Sequence, residues 1–313
     1  MNRYQHTPKK THSRALAALL AGSVVALAQS APKVNALIQE HWYQPQTLEL
    51  DLQPIITPEP EMEVLKSRVP PPLYERDTDL NELVVIFDDV GNNKKSIKNL
   101  KRLIDAEIPF TASALAGGRY TTQALALLAH ANADAMLHLP MEFEGMTEER
   151  RSVLERPGSN DAVLASHKAS EAYDILNRHW TELSPYLAPK KFVGLNNHAG
   201  DLLGNELLLD VIADYIKVRD AILVDSGVRR PFAIHAAGKR SGAITFQRNV
   251  QFLDDRRDEK TPEYRLQHAY RATLKTKKPT IAIGHLDKDA TVGAYLKLSK
   301  EAKNLTRLSE LID

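Results

Sequence analysis

The sequence has no cysteine, which excludes disulfides, cysteine-ligated zinc and thiol nucleophiles. It also lacks a dominant charge sign. Lys and Arg number 41 against 40 Asp and Glu, so no basic field is available for nucleic acid. Aromatic residues make up only 6%, and no long stacking platform for a polymer is evident. The N-terminal apolar run, Ala15–Ala28, is 14 residues, short of the roughly 20 that a membrane-spanning helix requires. No G-x-S-x-G elbow occurs, which disfavours serine-nucleophile chemistry. What is present is globular: 43% hydrophobic and 26% charged residues over a 313-residue chain. That length suits one large α/β domain with extensions, or two domains.

The first thirty residues follow an order of their own. Arg3, Lys9, Lys10 and Arg14 precede the apolar run with no acid among them, and Ala28-Gln29-Ser30 supplies small residues ahead of Ala31. Residues 1–30 therefore read as a secretory signal peptide cleaved near Ser30–Ala31, giving an exported, periplasmic protein with no stable membrane span after cleavage. A buried helix and an uncleaved anchor are the alternatives. Removing these four cations from 41 leaves 37 against 40 acids, a net charge of −3. Residues 31–80 carry Pro32, Pro45, Pro54, Pro58, Pro60, Pro70, Pro71 and Pro72 and read as a proline-rich linker or arm. Trp42 and Tyr43 within it could dock on an envelope protein partner.

From Asn81 onward short apolar runs alternate with helical patterns. Strands are expected at 83–87, 109–114, 134–139, 191–196, 221–224, 243–246, 279–283 and near 304–307. Asn92 or Asn93 can cap the first helix, and Thr261-Pro262-Glu263 opens another. His235 falls in a loop on this reading, and His130, His167, His179 and His268 fall in helical patterns. Seven or eight βα units without a hairpin signal imply a parallel sheet covered by helices, best met by an incomplete or distorted (β/α)7–8 barrel over residues 81–313. The turn after the first strand, Asp88-Asp89-Val90-Gly91, is acidic and would repel phosphate, which argues against nucleotide binding.

In parallel α/β folds the carboxyl ends of the strands converge on one rim. The residues there are Asp88-Asp89, His138 with Glu142, Asn196-Asn197-His198, Asp225-Ser226 and His285. Singly, each has a plain structural explanation as a helix cap, a packed histidine or a turn pair. Together, neutral imidazoles and carboxylates from different strands form the donor set that a divalent metal ion takes. A carboxylate-pair glycosidase is the rival, with Asp88 or Asp89 paired with Glu142 or Asp225, but it leaves the histidines without a use.

The segments Ile86-Phe87-Asp88-Asp89-Val90-Gly91, His138-Leu139-Pro140-Met141-Glu142, Asn196-Asn197-His198-Ala199-Gly200, Val224-Asp225-Ser226 and Ile281-Ala282-Ile283-Gly284-His285 resemble, in this order, the divergent polysaccharide deacetylase family. That family is similar to the NodB-type polysaccharide deacetylases. The resemblance implies a distorted (β/α) barrel and metal-dependent removal of N-acetyl groups from an envelope poly- or oligosaccharide. The partner would be an N-acetylated glycan or peptidoglycan fragment, and Zn²⁺ the expected cofactor. It further implies Asp88 as catalytic base, Asp89, His138 and His198 as metal ligands, and His285 as the acid, oriented by Asp225. Glu142 stands where the deacetylases have the second histidine of H-x-x-x-H, so it becomes a ligand or the partner of a ligating histidine. Asn196 and Asn197 would bind substrate or fix the loop. The alternatives are a catalytically silent glycan-binding or scaffold protein on the same fold, and hydrolysis of a different C–N bond.

Overall fold

The computed structural model describes residues 81–147, 162–198, 200–227, 232–255, 259–276 and 278–312. The expected signal peptide and proline-rich arm lie outside the described residues. Among the described residues eight strands form one sheet: β1 (Leu83–Val90), β2 (Phe110–Leu115), β3 (Ala133–Pro140), β4 (Gly194–His198), β5 (Ile222–Asp225), β6 (Ile244–Gln247), β7 (Thr280–His285) and β8 (Leu305–Thr306). The order is β6-β5-β4-β3-β2-β1-β7, and β8 pairs the first two residues of β1. Every pairing is parallel.

The helices are α1 (Lys94–Asp105), α2 (Thr121–Leu128), α3 (Ala169–Leu187), α4 (Glu206–Lys217), α5 (Ala233–Ser241), α6 (Pro262–Thr276) and α7 (Asp289–Leu298). Asn93, not Asn92, caps α1 by accepting Ser96 N–H at 3.0 Å. Thr261 Oγ1 accepts Tyr264 N–H at 3.2 Å where α6 begins. Helix α5 is a correction: His235, expected in a loop, lies in its first turn. The segment Ala233-Ile234-His235-Ala236-Ala237 shows little amphipathic period, and the helix is fixed by its ends. Asp225 accepts backbone N–H groups at its start, and Gly242 ends it at φ +75°. His130 and His167 also lie outside helices, whereas His179 and His268 lie within α3 and α6.

Side chains alternate across each strand, and the alternation divides the core in two. Val84, Ile86, Met136, Ile222, Val224, Ile281 and Ile283 face inward and pack with Leu308 and Leu311. Leu83, Val85, Phe87, Leu137, Leu139, Leu223 and Ala282 face outward onto the helices, where Phe87 meets Tyr295 edge-on at 5.4 Å. Truncating one of these fully buried residues, Ile283 to Ala for example, would cost about 2–5 kcal/mol.

No ladder joins β6 to β7 among the described residues, and the chain beyond β6 spans the gap instead. Asn249 N–H donates to the Ile281 carbonyl at 3.3 Å, Ile281 N–H donates to Asn249 Oδ1 at 2.8 Å, and Leu253 N–H donates to the Ile283 carbonyl at 2.9 Å. The result is the expected incomplete barrel, with an irregular segment in place of a closing strand. Among the described residues no helix is long and apolar enough to cross a membrane.

Candidate metal centre

The inward parity that places Val84 and Ile86 in the barrel continues to Asp88. It does the same for Met136 and His138, and for Ile281, Ile283 and His285. The polar residues are therefore inward positions at or near the carboxyl ends of the strands themselves. Register then sets the neighbours: Asp88 pairs with His285, His138 with Asn196, and Pro140 with His198.

Asp89 would face away from Asp88 in a regular strand. It does not, because β1 is bulged there: three steps from Phe87 to Val90 match two on β2, from Ala112 to Ala114. Asp89 takes φ +60°, the left-handed region in which a residue with a Cβ is strained by about 1–2 kcal/mol. A bulge of this kind re-aims a side chain. Here it brings the second carboxylate beside two imidazoles.

Asp89 Oδ1 lies 3.1 Å from His198 Nδ1 and 3.5 Å from His138 Nε2, and these two ring nitrogens are 2.9 Å apart. One donor atom from each of Asp89, His138 and His198 falls within 4.8 Å of the others. Asp89 Oδ1 is buried, yet neither imidazole contact has the alignment of a hydrogen bond. A buried anionic oxygen without a donor is costly, and a cation between the three atoms would satisfy it. Two nitrogens and one carboxylate oxygen are a donor set that suits a divalent transition ion. The three side chains fit a metal.

The surrounding groups are tied in place. Asn196 Nδ2 donates to Asp88 Oδ1 at 2.8 Å, and Asn196 Oδ1 lies 2.8 Å from His138 Nδ1. Asp254 Oδ1 lies 2.9 Å from His285 Nδ1, its Oδ2 accepts His285 N–H at 2.7 Å, and Thr291 Oγ1 donates to Oδ2 at 3.2 Å. Phe252 stacks on the His285 ring, with centroids 5.7 Å apart and planes 21° from parallel.

These contacts set the charges. Burial pushes the Asp88 carboxyl up, against the opposing pull of His138, His285 and Asn196. Burial acts against the Asp89 charge too, but His138 and His198 hold that carboxyl far below the ordinary range. Burial would lower His138, yet the Asp88 and Asp89 carboxylates raise it. His285 is also opposed by burial, and the Asp254 carboxylate, aided by Asp88 and Asp89, raises it to about 9.

The model of the divergent polysaccharide deacetylase family matches residues 85–312. The chain belongs to this family. It also resembles solved structures. An uncharacterized protein from Agrobacterium tumefaciens C58 aligns at 18% identity and TM-score 0.59, over 73% of this chain and 88% of that one. A proposed cellobiose-phosphate cleavage protein from Enterococcus faecalis V583 aligns at 12% identity and TM-score 0.52, over 73% and 98%. A CE4 family pseudoenzyme from Bacillus anthracis aligns at 13% identity and TM-score 0.43, over 74% and 66%. At these identities the likeness concerns the fold alone. No curated protein has significant similarity to the chain.

Within this divergent deacetylase domain, Asp88, Asp89, His138, His198 and His285 gather at one end of the barrel, with Asn196 beneath them. Asp225 does not orient His285. Val224 faces the interior, so the next residue faces outward, and Asp225 accepts Gly227 N–H at 2.7 Å and the N–H groups of Ile234 and His235 at 3.1 Å each. It caps α5, and Asp254 holds His285 instead. Glu142 is buried, but it is not one of the three clustered ligand groups, and its Oε2 accepts Ala165 N–H at 2.8 Å. Asn197 fixes the loop: its Oδ1 accepts Ser226 N–H at 2.8 Å, and its Nδ2 donates to the Gly200 carbonyl at 2.7 Å.

Gly200 is needed because a Cβ there would sit 2.1 Å from the Glu142 carbonyl oxygen and 2.3 Å from that of Met141. Sequence reasoning missed Asp254 and also Ser113, whose Oγ donates to Asn196 Oδ1. Phe252-Leu253-Asp254-Asp255 repeats the apolar-then-acidic pattern of Ile86-Phe87-Asp88-Asp89, and that was the available signal for Asp254. Ser113 carries no such mark.

Proposed function

We propose that the chain is a metal-dependent hydrolase that removes N-acetyl groups from an envelope poly- or oligosaccharide, in the periplasm, after export through residues 1–30. The observation that carries this reading is the convergence of Asp89 Oδ1, His138 Nε2 and His198 Nδ1 beside a buried carboxylate, Asp88, and a carboxylate-held imidazole, His285. Family membership supports the glycan as substrate class.

Asp89, His138 and His198 would hold the ion, and Zn²⁺ suits their nitrogen and oxygen donors. Such an ion supplies activation of water near neutral pH and stabilisation of charge on the amide oxygen. The other steps belong to the chain. Asp88 accepts the proton of the attacking water, and its raised affinity for protons suits a base working nearer neutrality than an exposed aspartate. His285 holds a proton at neutral pH and donates it to the departing nitrogen. The amide C–N bond breaks, water supplies the new C–O bond, and the products are acetate and the free amino sugar. Asp88 and His285 are paired across the β1–β7 ladder, so base and acid approach one scissile bond from adjacent strands.

The test is acetate release from N-acetylated oligosaccharides and peptidoglycan fragments by the Zn²⁺-loaded chain, beside Asp88→Asn. Release that the substitution abolishes supports the hydrolase. Zn²⁺ uptake without acetate or amine release across these substrates would favour the silent glycan-binding protein instead.

A further inference from the structure

The Asn196 side chain is fully buried, and both of its ends are in use. Nδ2 donates to Asp88 Oδ1 at 2.8 Å and to Ser226 Oγ at 3.3 Å. Oδ1 accepts from Ser113 Oγ and lies 2.8 Å from His138 Nδ1. A carboxamide has two N–H donors and two acceptor sites, so none is spare. Its orientation follows from Asp88: the flipped amide would set its oxygen 2.8 Å from a carboxylate oxygen. With the oxygen facing His138, that histidine carries its hydrogen on Nδ1. The opposite nitrogen, Nε2, is the one directed at Asp89 and His198.

A packing role alone would need only some set of partners. These partners are the carboxylate beside the metal centre on one end of the amide and one of its imidazoles on the other. We infer that Asn196 is a positioning residue that fixes His138 in the Nδ1–H form, so that Nε2 can ligate, and with the same amide orients Asp88. The inference rests on the proposed function, because it gives Asn196 meaning only where Nε2 meets an ion and Asp88 meets water. Partners of this kind, one bond removed from the ligating atom, change metal affinity by about 10–100-fold when removed.

The test uses the full-length chain with Zn²⁺ as the binding probe, and the N-acetylated oligosaccharide of the hydrolase assay as substrate where kcat and KM are read. Affinity is read by competition with a chromophoric chelator for the parent, Asn196→Ala and Asn196→Asp, with folding checked by circular dichroism. Two-bond proton–nitrogen correlations read the His138 ring in the Zn²⁺-loaded parent. Asn196→Ala is expected to weaken Zn²⁺ binding by about 10–100-fold. Asn196→Asp keeps an acceptor for His138 but loses the donor to Asp88. It is expected to hold Zn²⁺ within roughly a tenfold range of the parent, less than the loss of a whole partner costs, while kcat collapses and KM changes little.

A folded Asn196→Ala that binds Zn²⁺ as tightly as the parent overturns the inference and leaves the functional reading standing. A parent that takes up no Zn²⁺ overturns both. If Asn196→Ala does not fold, the parent spectrum decides: an Nδ1-protonated His138 supports the inference, and an unprotonated Nδ1 overturns it.

Discussion

His285 Nδ1 stands 2.9 Å from Asp254 Oδ1, and the other oxygen of that carboxylate accepts the His285 backbone N–H. One side chain thus fixes both the ring and the strand end that carries it. Asp254→Asn should bring the His285 pKa down from about 9 towards the ordinary histidine value, and the alkaline limb of the activity profile with it. Asp225→Asn should leave the His285 titration in place and cost about 1 kcal/mol of stability, through the weakened cap of α5. Histidine-resolved NMR titration and chemical denaturation of both variants check this. Equal effects on His285 from the two substitutions would remove Asp254 from its role.

The same pair makes stability depend on pH. His285 has a higher pKa folded, about 9, than its ordinary 6.5, so the folded chain binds the proton more tightly than the unfolded one. The stabilisation is fully present below about pH 6.5 and is lost as pH rises through about 9. Between those values denaturation of the metal-free chain should show stability falling by up to about 1.4 kcal/mol per pH unit, a slope that Asp254→Asn flattens. A stability that rises over this window would contradict the assignment.

Two of the proposed ligands differ in burial, so their removal should differ in kind. The His198 side chain is 27% exposed and the His138 side chain 2%. His198→Ala should abolish Zn²⁺ binding at a stability cost of about 0.5 kcal/mol. His138→Ala should abolish binding and also cost about 1–3 kcal/mol, because it opens a cavity and leaves Asn196 Oδ1 short of a partner. Thermal melts beside metal titrations separate the two. Full Zn²⁺ occupancy in His198→Ala would sink its place as a ligand.

Gly200 offers a test of the loop. A methyl group there would press on the carbonyl oxygens of Glu142 and Met141, and Gly200 N–H is bonded to the His198 carbonyl at 2.8 Å. Gly200→Ala should therefore destabilise by about 1–3 kcal/mol and weaken metal binding by moving His198. Wild-type Zn²⁺ affinity in that variant would show that the loop and the ligand are independent.

Strands and helices were legible wherever apolar spacing was regular, as in 83–87 or along α3. Strand ends were not, and the error is instructive. The apolar run of β1 stops at Phe87, but its pairing continues through Asp88 to Val90. β4 likewise extends to His198 rather than ending at Asn196. A polar residue on the inward face of a barrel mouth ends the hydrophobic pattern without ending the ladder. Membership of the cluster could be read from strand-end motifs, because each motif sits on one strand. The partner of His285 could not, since Asp254 lies on the irregular segment that replaces a closing strand. Nor could the outward aim of Asp225, which depends on which parity of β5 faces inward.

Metal content tests the central claim most directly. The full-length chain, purified without chelator, would be measured by elemental analysis beside a His138→Ala/His198→Ala double variant. About one equivalent of a divalent transition metal per chain, absent from the double variant, is the expected result. A parent chain that is metal-free and takes up none of Zn²⁺, Mn²⁺, Co²⁺ or Ni²⁺ on reloading would contradict it.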